Sequence, residues 1–142
     1  MNVNTILHVK GREVISVSPE TPILKLTKIF TKNKIGSIVV LDNERLVGIV
    51  SERDVVRAIA SHGPEVLGET VSSIMTSEVI TCGGGDTIDQ IMSIMTTGRF
   101  RHIPVIENGQ LSGIISIGDV VQQRIAAVEM EAKAMRSYIA TG

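Results

Sequence analysis

Hydrophobic and polar positions follow the same pattern in the two halves of the 142-residue chain. Residues 13–56 align with residues 78–121 at an offset of 65 without a gap, and sixteen of the 44 positions are identical. Ordinary composition would give roughly three identities. The chain is therefore a tandem duplication. In copy one the identical positions are Glu13, Val14, Ile15, Ile23, Ile29, Thr31, Ile38, Val40, Asn43, Leu46, Gly48, Ile49, Ser51, Asp54, Val55 and Val56.

Each copy begins with a pattern typical of a short strand followed by a helix. The β-prone runs 14–17 and 79–82 supply the strands. We predict that the first helix of copy one has Thr21 as its N-cap and Pro22 at its first position, and that its counterpart starts at Asp86-Thr87. Apolar residues at three-to-four spacing predict one buried face on each helix. These residues are Ile23, Leu26 and Phe30 in copy one, and Ile88, Ile91 and Met95 in copy two.

Two further apolar runs in each copy flank a turn and predict a β-hairpin. The turns are Asp42-Asn43-Glu44 and Asn108-Gly109, of which Asn-Gly suits a type I′ turn. A second helix follows each hairpin and, in copy one, stops at Gly63-Pro64. Each unit therefore reads β-α-β-β-α.

One such unit, of about 60 residues, would bury too little surface to be stable alone. We predict an α/β (α+β) fold in which the two units pack about an approximate two-fold axis. The expected division is 1–70, the first repeat with an N-terminal segment, and 71–142, the second repeat with an extended C-terminal helix. We expect a short helix around residues 71–75 in the linker, and the similar segment Thr5-Ile6-Leu7 could have the same role before copy one.

Composition and charge exclude several classes of protein. The chain is 43% hydrophobic, which rules out disorder, and its net charge of −1 gives no basic face for nucleic acid. No apolar stretch is long enough for a membrane span, and no secretory signal is apparent. The single cysteine, Cys82, cannot form an internal disulfide. We therefore expect a cytoplasmic protein with no nucleic-acid or membrane partner.

The most specific motif lies where each hairpin leads into its second helix. It reads Gly-x-x-Ser-x-x-Asp, with Ser51 and Asp54 in copy one and Ser116 and Asp119 in copy two. Ser-x-x-Asp is the pattern of a capping box at a helix N-terminus. The same hydroxyl and carboxylate could also form the polar edge of an apolar cleft. Both interpretations can hold at once.

These motifs follow the strands Gly-Ser-Ile-Val-Val and His-Ile-Pro-Val inside a duplicated unit, and the chain therefore resembles a pair of CBS domains (cystathionine-β-synthase-type repeats, the Bateman module). The resemblance covers residues 13–61 and 78–127. It implies two related clefts for adenosine nucleotides. In such clefts the aspartates accept the ribose hydroxyls with the serines beside them, the first strand borders the base, and aliphatic strand residues form the walls. The resemblance thus implies Asp54 and Asp119 as the ribose acceptors, with Ser51 and Ser116 beside them. Ser16 and Thr81 would border the base, and the walls would be formed by Ile38, Ile103 and Pro104.

The two copies differ where the resemblance places phosphate. Arg101 and His102 enter the core strand of copy two and are our strongest phosphate candidates. Arg53 lies within the first motif, whereas its equivalent, Gly118, has no side chain to offer. We therefore predict unequal sites. The alternative for the segment around His102 is a solvated turn with a satisfied histidine.

Other chemistry has little support in the sequence. The glycines at 83–85 match neither a phosphate loop nor a dinucleotide-binding fingerprint, and a turn is the better interpretation. The histidines are scattered, so we expect no metal site. No nucleophile and base can be paired, and we predict no enzymatic activity and no catalytic cofactor.

Copy two continues past the repeat with apolar residues at spacings of three and four. We interpret this seam as the contact of a helix in a homodimer, and the alternative is that it packs on its own module. The seam residues are Val121, Ile125, Val128, Ala132, Met135 and Ile139.

The leading hypothesis is a stand-alone regulatory CBS pair that binds AMP or ATP, with NAD(H) also plausible, and signals through its assembly state or an unidentified regulated protein. The alternative is a structural dimerisation module without ligand. A nucleotide-acting enzyme has the least support. Because aromatic residues make up only 2% of the chain, an adenine would be held mainly between aliphatic side chains.

Overall fold

The computed structural model describes residues 1–141 and contains both predicted copies, preceded by an N-terminal helix. This helix, α1, spans Val3–Lys10 and begins with a capping box between Asn2 and Thr5. The side chain of each of these two residues bonds to the backbone amide of the other, so two amides that the helix leaves unpaired are satisfied.

Copy one has the predicted order of elements. Its first strand is shorter than predicted, because only Ser16 and Val17 pair, in parallel, with the strand that follows the first helix. The next two strands form the predicted antiparallel hairpin, and the last helix ends at Gly63. The elements are β1 (Ser16–Val17), α2 (Ile23–Asn33), β2 (Ser37–Asp42), β3 (Arg45–Ser51) and α3 (Glu52–His62).

Copy two repeats this arrangement, with one reduction. Instead of a strand at 79–82 there is a single parallel bridge between Cys82 and Val105. The hairpin turn has φ of +53° at Asn108 and +75° at Gly109, which is the conformation of the predicted type I′ turn. The elements are α4 (Ile88–Gly98), β4 (His102–Glu107), β5 (Gln110–Ser116) and α5 (Ile117–Thr141).

The predicted N-cap of α2 is wrong by one residue. Pro22 occupies that position without a side-chain cap, and the Thr21 hydroxyl accepts a hydrogen bond from the Ser18 amide instead. The cause is an antiparallel bridge between Pro22 and Thr70, which holds the chain before α2 in an extended conformation. In copy two, Thr87 caps α4 with its side chain.

The predicted buried faces of α2 and α4 are confirmed, since all six residues are at most 4% exposed. Cys82 lies in the core of copy two, where burial, followed by the charge of Asp86, raises its pKa to about 12. A thiol with so high a pKa is a weak nucleophile at neutral pH, so Cys82 acts as a small apolar core residue.

Each core is completed by the segment that precedes the other copy. The linker forms two 3₁₀ turns, Pro64–Gly68 and Val71–Ser73, rather than the predicted helix, and both turns contribute buried valines to the core of copy one. In the reverse direction, α1 inserts its apolar face into the core of copy two. The division at residue 70 therefore describes the sequence repeat and not the two cores. The α1 residues in the core of copy two are Val3, Ile6 and Leu7.

This crossing depends on two equivalent glycines in the hairpins. A Cβ atom at Gly48 would lie 2.5 Å from the sulfur of Met75, and one at Gly113 would lie 2.6 Å from Cδ2 of Leu7. Both glycines lie beside the irregularity that each hairpin shows in its strand register. A missing side chain at each hairpin therefore lets the crossing segment approach the sheet.

The last helix, α5, is 25 residues long and extends beyond the second repeat. The alternative that its apolar seam packs on its own module is wrong, because Ile125, Val128, Met135 and Ile139 are 53 to 71% exposed. Across residues 1–141, no helix has both the length and the apolar character needed to cross a bilayer.

Candidate functional site

A cleft of about 590 Å³ opens where the two copies meet. Copy one contributes the end of β3 and the first turn of α3, and copy two contributes residues 78–80 together with residues 98–102. The cleft brings together five of the residues predicted to contact a ligand. They are Ser51, Arg53, Asp54, Arg101 and His102.

The Ser51–Asp54 pair is both a helix cap and part of the cleft wall. The Asp54 amide donates to the Ser51 hydroxyl at 3.2 Å, and Oδ2 of Asp54 accepts hydrogen bonds from the Ser51 amide at 2.8 Å and from its hydroxyl at 3.0 Å. The other carboxylate oxygen, Oδ1, is 4.0 Å from the exposed guanidinium of Arg57. The cap therefore uses one oxygen of Asp54 and leaves the other for a hydrogen-bond donor in the cleft.

Charged side chains of both signs line this cleft, with a small excess of positive charge. Four arginines line it against three acidic side chains. The Arg99 backbone has φ of +57° at the C-cap of α4, and this sharp turn brings the next residues to the rim. Arg57 was missed in the sequence, although it lies about one helical turn after Asp54. The full set is Arg53, Arg57, Arg99 and Arg101 against Glu52, Asp54 and Glu78.

His102 is half-buried at the start of β4 and lies between the two motifs. It lines the cleft that contains Asp54, and it pairs across the hairpin with Ser116 of the second motif. Burial lowers its pKa, and the positive charges of Lys10 and Arg101 lower it further, while Asp119 acts in the opposite direction. The imidazole is therefore neutral at physiological pH and can both donate and accept a hydrogen bond.

The apolar wall of the cleft differs from the predicted one. Ile38, Ile103 and Pro104 are buried in the two cores and do not line the cleft. These strands are buried on both faces, as in a sheet covered on both sides, so their middle residues are not available to a ligand. Ile80, which is 51% exposed, is one of the apolar residues that line the cleft instead; the others are Ile49, Val50, Val79 and Phe100.

The two predicted hydroxyl residues of the first strands also lie outside the cleft. Thr81 lines a separate cavity of about 300 Å³ beside the second hairpin. Ser16 is exposed on β1, where it pairs with Val39. Neither residue lines the cleft of Asp54, and their contact with a base stays a prediction.

The second motif repeats the cap but has an additional cation. Oδ2 of Asp119 accepts from the Ser116 amide at 2.9 Å and from Nζ of Lys10 at 2.6 Å. The same Nζ donates to the carbonyl oxygen of Ile114 at 2.9 Å. Burial alone would raise the pKa of Asp119, but the hydrogen bonds from Lys10 and Ser116 bring it below its usual value. Lys10 precedes the internal alignment of the two copies, which begins at Glu13, and for this reason the sequence did not point to it.

Metal ligands and a phosphate loop do not account for the remaining polar residues. In the described part of the chain, His, Cys, Asp and Glu side chains form no group of three that could hold a metal ion. The glycines at 83–85 form a turn in which Oδ2 of Asp86 accepts from the Gly83 amide at 2.8 Å. The cleft itself offers a carboxylate, an apolar surface and guanidinium groups.

Comparisons with known proteins agree with this geometry. A family model described as the CBS domain matches the chain twice, at residues 8–61 and 71–125. The mitochondrial CBS domain-containing protein CBSX3 of Arabidopsis thaliana is 35% identical over 120 residues, which are 81% of this chain and 58% of the plant protein. The chain therefore spans less than two thirds of that relative.

Solved structures show the same fold. A CBS-domain containing protein from Agrobacterium tumefaciens is 47% identical, with a TM-score of 0.85 over 87% of this chain and 99% of that one. A CBS domain pair solved in complex with 5-methylthioadenosine and S-adenosyl-L-methionine is 25% identical, with a TM-score of 0.76 over 87% of this chain and 98% of that one. The predicted fold class is confirmed.

Proposed function

The chain belongs to the CBS-domain family, and from this premise we propose that it is a regulatory module that binds a phosphorylated adenosine ligand in the cleft of Asp54. AMP and ATP are the leading candidates, and NAD(H) has the same adenosine half. The observation that carries the proposal is that one cleft combines a helix-capping carboxylate, an exposed aliphatic wall and four arginines.

Each part of such a ligand has a suitable partner in the cleft. Oδ1 of Asp54 can accept a ribose hydroxyl, while the cap holds the carboxylate in place through Oδ2. Val79 and Ile80 offer an aliphatic surface to the flat face of a base. Arginine suits phosphate because its guanidinium donates two parallel hydrogen bonds to it. The ribose, base and phosphate would thus contact three different kinds of residue: a carboxylate, aliphatic side chains and arginines.

A comparison narrows the class of ligand. The solved CBS domain pair named above binds adenosyl compounds, which supports an adenosine ligand for this chain. S-adenosylmethionine carries a positive sulfonium, however, and four arginines disfavour a cation. We therefore propose that this cleft prefers anionic nucleotides to S-adenosylmethionine.

We propose binding without turnover. His102 and Asp119 could be drawn as an acid-base pair beside the cleft, but the Asp119 carboxylate is already bonded to Lys10. A carboxylate held by an ammonium group is a poor partner for activating a histidine. Output would then pass through a partner protein or through the assembly state.

A thermal-shift panel tests this proposal. The ligands are AMP, ADP, ATP, NAD, NADH and S-adenosylmethionine, with adenosine as a control without phosphate. A ligand at a hundred times its Kd stabilises the fold by about 2.7 kcal/mol, or roughly 10 °C in Tm for a chain of this length. We expect the anionic nucleotides to give the largest shifts. No shift with any ligand would favour a structural module, and turnover of the nucleotide would show an enzyme.

We also propose that α5 mediates a homodimer. Its exposed seam has heptad spacing, and a parallel pairing fits it better than an antiparallel one. With Ala132 at position a and Met135 at position d, Glu131 is a g residue and Arg136 is the e residue five positions later. In a parallel pair, g of one helix lies beside that e of the other, so Glu131 and Arg136 of the two copies meet with opposite charges. An antiparallel pairing would instead place Glu131 and Arg136 on opposite sides of the helix pair.

Light scattering tests this assembly. The chain mass is 15.3 kDa, so we expect twice that value for the wild type and a monomer for Met135→Glu. Ala134→Glu, an exposed change away from the seam, is the matched control and should remain dimeric. Glu131→Arg should weaken the dimer, and adding Arg136→Glu should restore it. A dimeric Met135→Glu protein would refute the seam, and no rescue in the double variant would refute the parallel pairing.

A further inference from the structure

The end of α1 lies against the motif of copy two, where the repeat would place a second ligand. Nζ of Lys10 bonds both to the Asp119 carboxylate and to the Ile114 carbonyl, so the ammonium group has two fixed acceptors. The side chains of Lys10 and Asp119 are only 34% and 19% exposed. This contact is thus a defined and partly buried ion pair.

The other parts of a second cleft are present at equivalent positions. Val79 and Ile80, which wall the first cleft, correspond to Val14 and Ile15 at the offset of 65. Ile15 is 42% exposed, much as Ile80 is, although both are large and apolar. The cap of Ser116 and Asp119 matches that of Ser51 and Asp54 in its amide bonds. The second motif therefore retains its aliphatic surface and its carboxylate.

The two motifs differ in the segment that crosses beside them. In copy one the chain after Met75 is extended, and the Thr76 amide donates to the Ile49 carbonyl at 2.9 Å. In copy two α1 continues helically for almost a turn beyond Leu7, and the equivalent carbonyl, that of Ile114, receives the Lys10 side chain instead. A backbone bridge at the first cleft is thus replaced by a charged side chain at the second.

This replacement changes what Asp119 can bind. A ribose hydroxyl is a neutral donor. The Lys10 ammonium group bonds to Oδ2 of Asp119 at 2.6 Å, so a hydroxyl at the other oxygen would meet a carboxylate whose negative charge is already paired. Hydrogen bonds between two charged groups are the stronger kind. Around Asp54 the nearest guanidinium is 4.0 Å away and largely exposed, so that carboxylate is not neutralised in the same way.

We infer that Lys10 neutralises the ribose acceptor of the second cleft, the Asp119 carboxylate, and restricts the protein to one adenosine ligand per chain, bound in the cleft of Asp54. This inference rests on the proposed function. The N-terminal helix then has two roles, since it fills the core of copy two and closes the second site. Removing the ammonium group while keeping the helix should open that site.

Titration calorimetry with AMP tests the inference. The wild type should bind one AMP per chain, and Lys10→Met, which keeps the alkyl chain, should bind two. Without the competing cation, affinity at the second site should rise by roughly 10- to 150-fold, the range for a hydrogen bond to a charged group. Lys32→Met, on the exposed end of α2, is the matched control and should bind one. Adding Asp119→Asn to Lys10→Met should remove the second AMP.

The outcomes separate this inference from the proposed function. Two AMP per chain in the wild type, or no additional AMP in Lys10→Met, would overturn the role of Lys10. If the wild type binds none, the first cleft is not an AMP site, yet Lys10→Met should still gain one through Asp119. If Lys10→Met unfolds, Asp119→Asn in the otherwise wild-type chain tests the inference instead. This variant should bind as many AMP molecules as the wild type, and the loss of a bound AMP would overturn the inference.

Discussion

The sharpest test of the cleft is Asp54→Asn. The substitution keeps the size of the side chain, and its amide oxygen can still accept from the Ser51 amide. It removes the negative charge and places an amide NH₂ group where Asp54 now offers a second acceptor. The ligand should therefore lose a hydrogen bond to a charged group, while the fold of the first turn of α3 is largely kept.

Two magnitudes follow from the contacts of Asp54. A hydrogen bond to a charged group contributes about 1.5 to 3 kcal/mol, so nucleotide affinity should fall roughly 10- to 150-fold. The Ser51–Asp54 cap is affected separately, and losing a cap costs about 0.5 to 2 kcal/mol of folding stability. The stability of the free protein must therefore be measured apart from the affinity.

The assay combines urea unfolding of the free protein with calorimetric titration of ATP and adenosine. Asp54→Asn should weaken both ligands by similar factors because both carry the ribose. Arg101→Ala is the contrasting variant and should weaken ATP much more than adenosine. Equal affinity of wild type and Asp54→Asn for ATP, with unchanged folding, would refute the ribose assignment.

Two further predictions concern stability. The pKa of His102 is lowered in the folded protein, so as the pH falls the unfolded chain takes up this proton first. The contribution of His102 to the free energy of unfolding is therefore complete above about pH 6.5 and is lost as the pH drops through the folded pKa. Urea unfolding between pH 7.5 and 5 should show a steeper loss of stability for wild type than for His102→Gln, and equal slopes would contradict this. Gly113→Ala should destabilise the protein by about 1 to 3 kcal/mol in the same assay, because the new Cβ would lie 2.6 Å from Leu7. The control Gly68→Ala, whose Cβ would meet nothing within 4 Å, should change stability by less than about 0.5 kcal/mol. Equal effects of the two substitutions would contradict the close packing of α1.

Local sequence patterns predicted the elements that depend on local interactions. The buried face of α4, the Asn108-Gly109 turn and the Ser51–Asp54 cap all follow from spacing over a few residues. The N-cap of α2 did not, because a bridge from Thr70, nearly fifty residues away, fixes the backbone at Pro22. Helix-capping propensity depends on residues that are neighbours in sequence, and here the hydrogen-bonded bridge to a distant segment outweighed it.

The cleft was predictable in its motif and less so in its walls. Asp54 was found because Ser-x-x-Asp recurs at the same place in both copies. Ile38 was misplaced because an aliphatic residue on a strand looks the same whether it faces a ligand or a core, and here both faces of β2 are covered. The exposed Ile80 is the informative residue, since a large apolar side chain left in water at a cleft marks a binding surface.

Comparing the two copies separates scaffold from chemistry. The identical positions include the hairpin glycines, the caps and the core aliphatics, all of which the fold requires in both copies. The arginines of the cleft are not among them: Arg53 and Arg57 correspond to Gly118 and Gln122, and Arg101 corresponds to Gly36. Duplication thus produced two equivalent frameworks, and substitutions concentrated positive charge at one of them. Lys10 completes this asymmetry, because the segment that crosses to the second motif brings a cation to its carboxylate.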